Sequence, residues 1–117
     1  MGRITTHVLD TSIGKPGRGI AVALYRLEGD GRTPLATTRT NSDGRCDQPL
    51  LEGDNMQPGV YELDFHVGVY FAKQDTSETA LPFLDRVTLR FGVAKAQEHY
   101  HVPLLVTPWS YSTYRGS

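Results

Sequence analysis

The sequence predicts an all-β sandwich, and three observations carry that reading. Four stretches place apolar residues at every second position, the mark of half-buried strands. Glycine- and proline-rich turn chemistry separates them. The strands are short, numerous and regularly spaced.

Taken in chain order, residues 3–10 form a weaker strand in which His7 shares a face with Thr5 and Leu9. After the turn residues Gly14–Gly19, Ile20, Val22 and Leu24 make one strand face, with Ala21, Ala23 and Tyr25 behind them. Gly29–Gly31 turns the chain into a second weak strand at 34–40, which Asn41–Gly44 ends. Beyond Pro58-Gly59, Tyr61, Leu63, Phe65 and Val67 alternate with Glu62, Asp64 and His66, a face that reads as solvent. Val69–Asp75 (VYFAKQD) breaks the alternation and is the one short helix expected. Val87, Leu89, Phe91 and Val93 then alternate with Thr88, Arg90 and Gly92. Tyr100, Val102, Leu104 and Val106 oppose His99, His101 and Leu105. Pro103 cannot donate to a ladder, so a bulge or an unpaired position is expected beside His101. Pro108 precedes a last weak strand at 109–115, with Trp109 expected to pack into the core at its start.

A chain of 117 residues reads as one domain, 1–117, large enough to bury a core without disulfides or metals. Its 12 basic and 13 acidic residues give a formal net charge of −1, which argues against a nucleic-acid partner. The single cysteine, Cys46, excludes an internal disulfide and suits a reducing compartment. No apolar run is long enough to span a membrane, and the start has no signal-peptide pattern, so a cytoplasmic location is expected. GKPGRG at 14–19 lacks the phosphate-cradling P-loop pattern and reads as a loop.

Histidine is the side chain that titrates near neutrality unaided, so the four histidines are the first candidates for acid–base chemistry. By residue type alone, a histidine on a strand is more often an ordinary surface or interior group than a catalyst. His99 and His101 have the spacing of two metal ligands on one strand face, but no third ligand is visible, and no metal is expected. Arg45, just after the Asp43-Gly44 turn, is either a solvated loop arginine or a cation aimed into a cleft to hold an oxyanion. Cys46 reads as a small buried hydrophobe. The tail YSTYRGS puts two tyrosines and an arginine where chains usually fray.

Three segments give these residues a context: ITTHVLDTSIGKP, TNSDGRC and HYHVPLLVTPWSYSTYRGS. Together they resemble the 5-hydroxyisourate hydrolases, the transthyretin-related enzymes of urate breakdown, over essentially the whole chain. The terminal YRGS is the most specific mark, since hormone-carrying transthyretins lack it. VGVYFAKQ and LPFLDRVTLRFGV fall where the family has its short helix and next strand. Val69 and the LDR at 84–86 depart from the commoner pattern, outside the reactive positions.

The resemblance implies a transthyretin-like sandwich of two four-stranded sheets with one short helix. It also implies a homotetramer with active sites at the dimer–dimer interface. The implied catalytic residues are His7, Arg45 and His101. Tyr114, Arg115, Gly116 and Ser117 are implied in substrate binding, with no metal or cofactor, while His66 and His99 stay ordinary. The implied reaction is hydrolytic opening of 5-hydroxyisourate to 2-oxo-4-hydroxy-4-carboxy-5-ureidoimidazoline. Such a step needs a base for water, charge stabilisation at a carbonyl oxygen and help for the leaving nitrogen. One histidine would be the base, with His101 favoured, and Arg45 would hold the oxyanion. The alternative is a non-catalytic small-ligand carrier on the same fold, for which the histidine–arginine set and YRGS would have no use. A purely adhesive β-domain would need no coherent pocket at all.

Overall fold

The computed structural model describes residues 1–73 and 81–116. In chain order the strands are β1 (Arg3–Asp10), β2 (Lys15–Pro16), β3 (Ala21–Glu28), β4 (Gly31–Arg39), β5 (Leu51–Glu52), β6 (Gly59–Phe65), β7 (Val87–Val93), β8 (His99–Val106) and β9 (Tyr111–Thr113). A short helix, α1 (Val67–Ala72), follows β6. One sheet has the order β4-β3-β6-β7, all antiparallel. The other has the order β2-β1-β8-β9, with β1 and β8 parallel at its centre. β5 joins that second sheet as a fifth strand. It covers Arg3 and Ile4 on the edge of β1 where β2 covers Leu9 and Asp10, so four strands still lie abreast.

The period-two patterns explain the layering. Ile4, Thr6, Val8 and Asp10 of β1 and Tyr100, Val102, Leu104 and Val106 of β8 turn inward and are buried. With Leu24, Leu63, Phe65 and Leu89 from the facing sheet, their apolar members form one core cluster. Burial of each such side chain stabilises the fold by roughly 1.5–3 kcal/mol. The odd-numbered residues of β1 and β8 are thereby left on the outer face.

Three local readings are corrected, and a fourth is narrowed to one of its two alternatives. β6 ends at Phe65 rather than Val67, because His66 (φ −86°, ψ 69°) turns the chain into α1. The helix therefore begins two residues before Val69, is seen to Ala72, and residues 74 and 75 of the expected helix lie outside the described residues. Tyr70 on α1 donates from its hydroxyl to Oδ2 of buried Asp10 at 2.7 Å, tying the helix to β1. Secondly, Glu62 and Asp64 face away from the core yet are buried. Arg32 bonds both carboxylates at 3.0 Å, and Arg90 bonds Glu62 at 2.9 Å, so arginine stems cover what alternation alone leaves to solvent. Thirdly, Trp109 is 72% exposed in this chain rather than packed in the core.

The fourth concerns Pro103. The β1–β8 register runs through His7↔Pro103 without a shift, so no bulge forms there. On its other side β8 pairs with β9 from Val106↔Tyr111 to Leu104↔Thr113, and the ladder resumes at His101↔Gly116 in the same register. Pro103 sits in the gap, where its missing N–H would have faced the tail. The unpaired position is there and the bulge is not.

Candidate active site

The outer face of the second sheet gathers the chemistry. Parallel pairing sets Arg3 opposite His99, Thr5 opposite His101 and His7 opposite Pro103. His7 and His101 thus become diagonal neighbours on one surface. They border an open cleft of about 540 Å³ whose walls include Thr5, Arg45, His99 and Tyr114.

Arg45 is delivered by a tightly specified turn. The Asn41 side-chain oxygen accepts from the N–H groups of Asp43 and Arg45 at 2.9 and 3.1 Å, closing the loop on itself. Gly44 (φ +76°) then lays its backbone on β1, where its carbonyl accepts from Val8 N–H at 2.8 Å. A Cβ at Gly44 would collide with the Val8 carbonyl oxygen, and the left-handed φ itself favours glycine. Arg45 consequently bridges to His7 along the β1 edge between β2 and β5. Its guanidinium makes no hydrogen bond or ion pair among the described residues, and so remains free for an anion.

The two imidazoles are held differently. His7 Nε2 lies 3.0 Å from the Asp43 carbonyl oxygen. A carbonyl only accepts, so Nε2 carries the proton and Nδ1 is the acceptor of the neutral ring. His101 Nδ1 lies 2.8 Å from Thr5 Oγ1, leaving Nε2 as its second functional nitrogen. Burial and then the Arg45 charge hold His7 below its ordinary pKa, against smaller opposing effects of Asp43. Burial, Arg45, His7 and His99 do the same to His101. Both shifts favour the neutral ring, the state in which an imidazole can accept a proton. Cys46 is half-buried, and burial followed by the Asp47 charge pushes its thiol up, away from a nucleophilic thiolate.

The tail is pinned beside this site. Gly116 N–H donates to the His101 carbonyl at 2.8 Å, and Tyr114 lines the cleft. Arg115 is turned the other way. It donates to Glu98 at 3.0 Å and to the His99 carbonyl at 3.3 Å, and its guanidinium lies 4.2 Å from the centre of the Tyr100 ring. Ser117 lies outside the described residues. His66 stands at the position just before α1, without a side-chain capping bond and on a different element from the cleft.

Thr5 was not among the sequence candidates, and His99 was weighed there and read as ordinary, yet both line the cleft. Thr5 shares its strand face with His7, and His99 shares its face with His101. Their juxtaposition needs the β1–β8 parallel register, which periodicity does not supply. Among the described residues no three His, Cys, Asp or Glu side chains gather so as to hold a metal ion, and no helix is long and apolar enough to cross a membrane.

A β-sandwich of this topology with two imidazoles and a guanidinium on its outer sheet face defines a transthyretin-like protein with an acid–base cleft. The sequence model of the HIUase/Transthyretin family matches residues 4–116, and the chain belongs to that family. A 5-hydroxyisourate hydrolase from Ralstonia nicotianae is 61% identical over 117 residues, covering 100% of both chains. The solved structure of Klebsiella pneumoniae 5-hydroxyisourate hydrolase is 33% identical, with a TM-score of 0.80 and 100% of each chain covered. The crystal structure of an (S)-allantoin synthase is 45% identical with a TM-score of 0.91, and there 99% of this chain matches 44% of the longer one.

Proposed function

We propose that this chain is a 5-hydroxyisourate hydrolase of the cyclic-amide type, opening the six-membered ring of its substrate with water. The observation that carries the reading is the convergence of His7, Arg45 and His101 on one cleft, in a chain 61% identical to a protein bearing that name. We assign His101 as the general base, with Nε2 taking the proton from water. His7 Nδ1 accepts the other O–H of that water and orients it, its ring fixed by the Asp43 carbonyl. The free Arg45 guanidinium holds the substrate and the oxyanion that develops on the attacked carbonyl. As water attacks, the C–N bond of the ring breaks and the leaving nitrogen takes up a proton, so the proton removed from water is returned.

Tyr114, Arg115, Gly116 and Ser117 complete the substrate site in this reading. Tyr114 borders the cleft directly. Arg115 anchors the tail on Glu98 and so bears on the position of Gly116 within its own chain. The cleft is open on a sheet face, which supports a homotetramer in which two dimers meet over it. We take residues 1–117 as one catalytic domain and place it in the cytoplasm, where the free thiol of Cys46 suits a reducing compartment.

The test generates 5-hydroxyisourate with a urate oxidase and follows its decay by absorbance. Micromolar protein is expected to accelerate that decay, and His101→Ala to lower turnover by about 10²–10⁴ with the fold intact. No acceleration by the unaltered protein would sink the proposal.

A further inference from the structure

We infer that Thr5 is a positioning residue: its hydroxyl couples His99 to His101 and presents the His101 ring as a base. The inference rests on the hydrolase reading above for its catalytic part, and on geometry for its structural part.

Thr5 Oγ1 lies 2.8 Å from His101 Nδ1 and 3.0 Å from His99 Nε2. The two rings stand 6.4 Å apart at 66°, too far to bond each other directly, so the hydroxyl is the link. A hydroxyl has one proton and can donate to only one of the two nitrogens. At least one ring must therefore present an N–H to it.

The arrangement that uses the whole chain runs outward from the cleft. His101 Nδ1–H donates to Thr5 Oγ1, and Thr5 O–H donates to His99 Nε2. His101 Nε2 is then unprotonated, which is the tautomer a base needs. When Nε2 accepts a proton, the ring becomes an imidazolium whose Nδ1–H bond to Thr5 strengthens, with His99 accepting at the far end. No bond other than that to the water proton is made or broken in this step. The logic is that of a base oriented by a third group, here a hydroxyl backed by an imidazole in place of a carboxylate. A neutral acceptor chain suits this cleft. Among the described residues, the charged and titratable groups around the pair are Arg3 and His7 from β1, Arg45, Cys46 and Asp47 from the loop, and Tyr114 and Arg115 from the tail.

Thr5→Val keeps the shape of the side chain on its strand and removes the hydroxyl, while Thr5→Ser keeps the hydroxyl. Thr5→Val is expected to lower kcat about 10–100-fold with KM within about twofold, and Thr5→Ser to recover most of that loss. The acid limb of the kcat profile should move to lower pH in Thr5→Val, because the imidazolium loses an acceptor. His99→Phe should reduce kcat in the same direction by a smaller factor. An independent reading comes from ¹⁵N NMR of the His101 ring, which should report a protonated Nδ1 in the unaltered protein and a shifted tautomer balance in Thr5→Val.

Unchanged kcat and pH profile in Thr5→Val, in an unaltered enzyme that does turn over 5-hydroxyisourate, would overturn the catalytic role and leave the hydrolase reading standing. If the unaltered protein shows no hydrolysis, the NMR arm still decides the coupling. An identical His101 tautomer with and without the Thr5 hydroxyl overturns it.

Discussion

Gly116 packs its bare α-carbon against the ring of His101. A Cβ built there would lie 2.5 Å from His101 Cδ2, while the Gly116 N–H bonds the His101 carbonyl at 2.8 Å. The tail can make that backbone bond beside the ring only because residue 116 has no side chain. The glycine of YRGS is thus a steric requirement of the imidazole it abuts.

Gly116→Ala forces a choice between the backbone bond and the ring position. Either outcome displaces His101 or the tail by a few tenths of an ångström or more, enough to misplace a base. Turnover is expected to fall about 10–100-fold, with a melting temperature close to that of the unaltered protein because Gly116 is no part of the core cluster. Kinetics and a thermal melt on the same preparation check it. Full activity would show that the contact has no catalytic consequence.

The histidine shifts fix a pH dependence. His7, His99 and His101 all have folded-state pKa values below 6.5, chiefly through burial, so the unfolded chain binds protons that the folded chain rejects. Their contribution to stability is present above about pH 6.5 and is lost as pH falls through the folded values. Activity should follow the same limb, with its acid midpoint below 6.5. Arg45→Met removes the second-largest cause of lowering at His7 and His101 and should move both ring titrations upward in NMR. A midpoint that stays in place would separate Arg45 from the tuning of the two rings.

Strand existence was legible because burial in a sandwich imposes period two, and β1 and β7 fall on the expected residues. What alternation could not supply was the partner of each face. Glu62 and Asp64 look like solvent residues until β4 and β7 bring Arg32 and Arg90 over them. Thr5 and His99 look ordinary until parallel pairing sets His99 and His101 around the Thr5 hydroxyl. The motif match located His7, Arg45 and His101, and the register explains why they meet. The direction taken by Arg115 was not legible, because Glu98 and the Tyr100 ring compete for its guanidinium with the cleft.

The buried carboxylates give a stability prediction far from the cleft. Asp64 is fully buried and accepts from Arg32 at 3.0 Å and from the Thr88 hydroxyl at 2.7 Å. Asp64→Ala strips both donors of their acceptor and leaves a void, but the arginine is partly exposed and can turn to water. A loss of about 1–3 kcal/mol in urea unfolding is expected, with kcat unchanged. A neutral substitution would mean that the arginine layer is held by Glu62 alone.

Deleting residues 114–117 tests the tail as a unit. Among the described residues the deletion removes one backbone bond to His101, the Arg115 bond to the His99 carbonyl, its contact with the Tyr100 ring and the exposed Arg115–Glu98 pair, the last a class of interaction contributing about 0–1 kcal/mol. None of the core cluster belongs to those residues. Circular dichroism should therefore stay β-rich while hydrolysis is lost, because the cleft loses its Tyr114 wall and His101 loses the chain that flanks it. Arg115→Ala alone separates the two roles of the tail. If Arg115 serves only to anchor it, activity should fall partially and recover as ionic strength drops in a control carrying Arg115→Lys, which preserves the charge opposite Glu98. A truncated protein that hydrolyses 5-hydroxyisourate at the full rate would show that the four residues are dispensable, and would return the assignment of the site to His7, Arg45 and His101 alone.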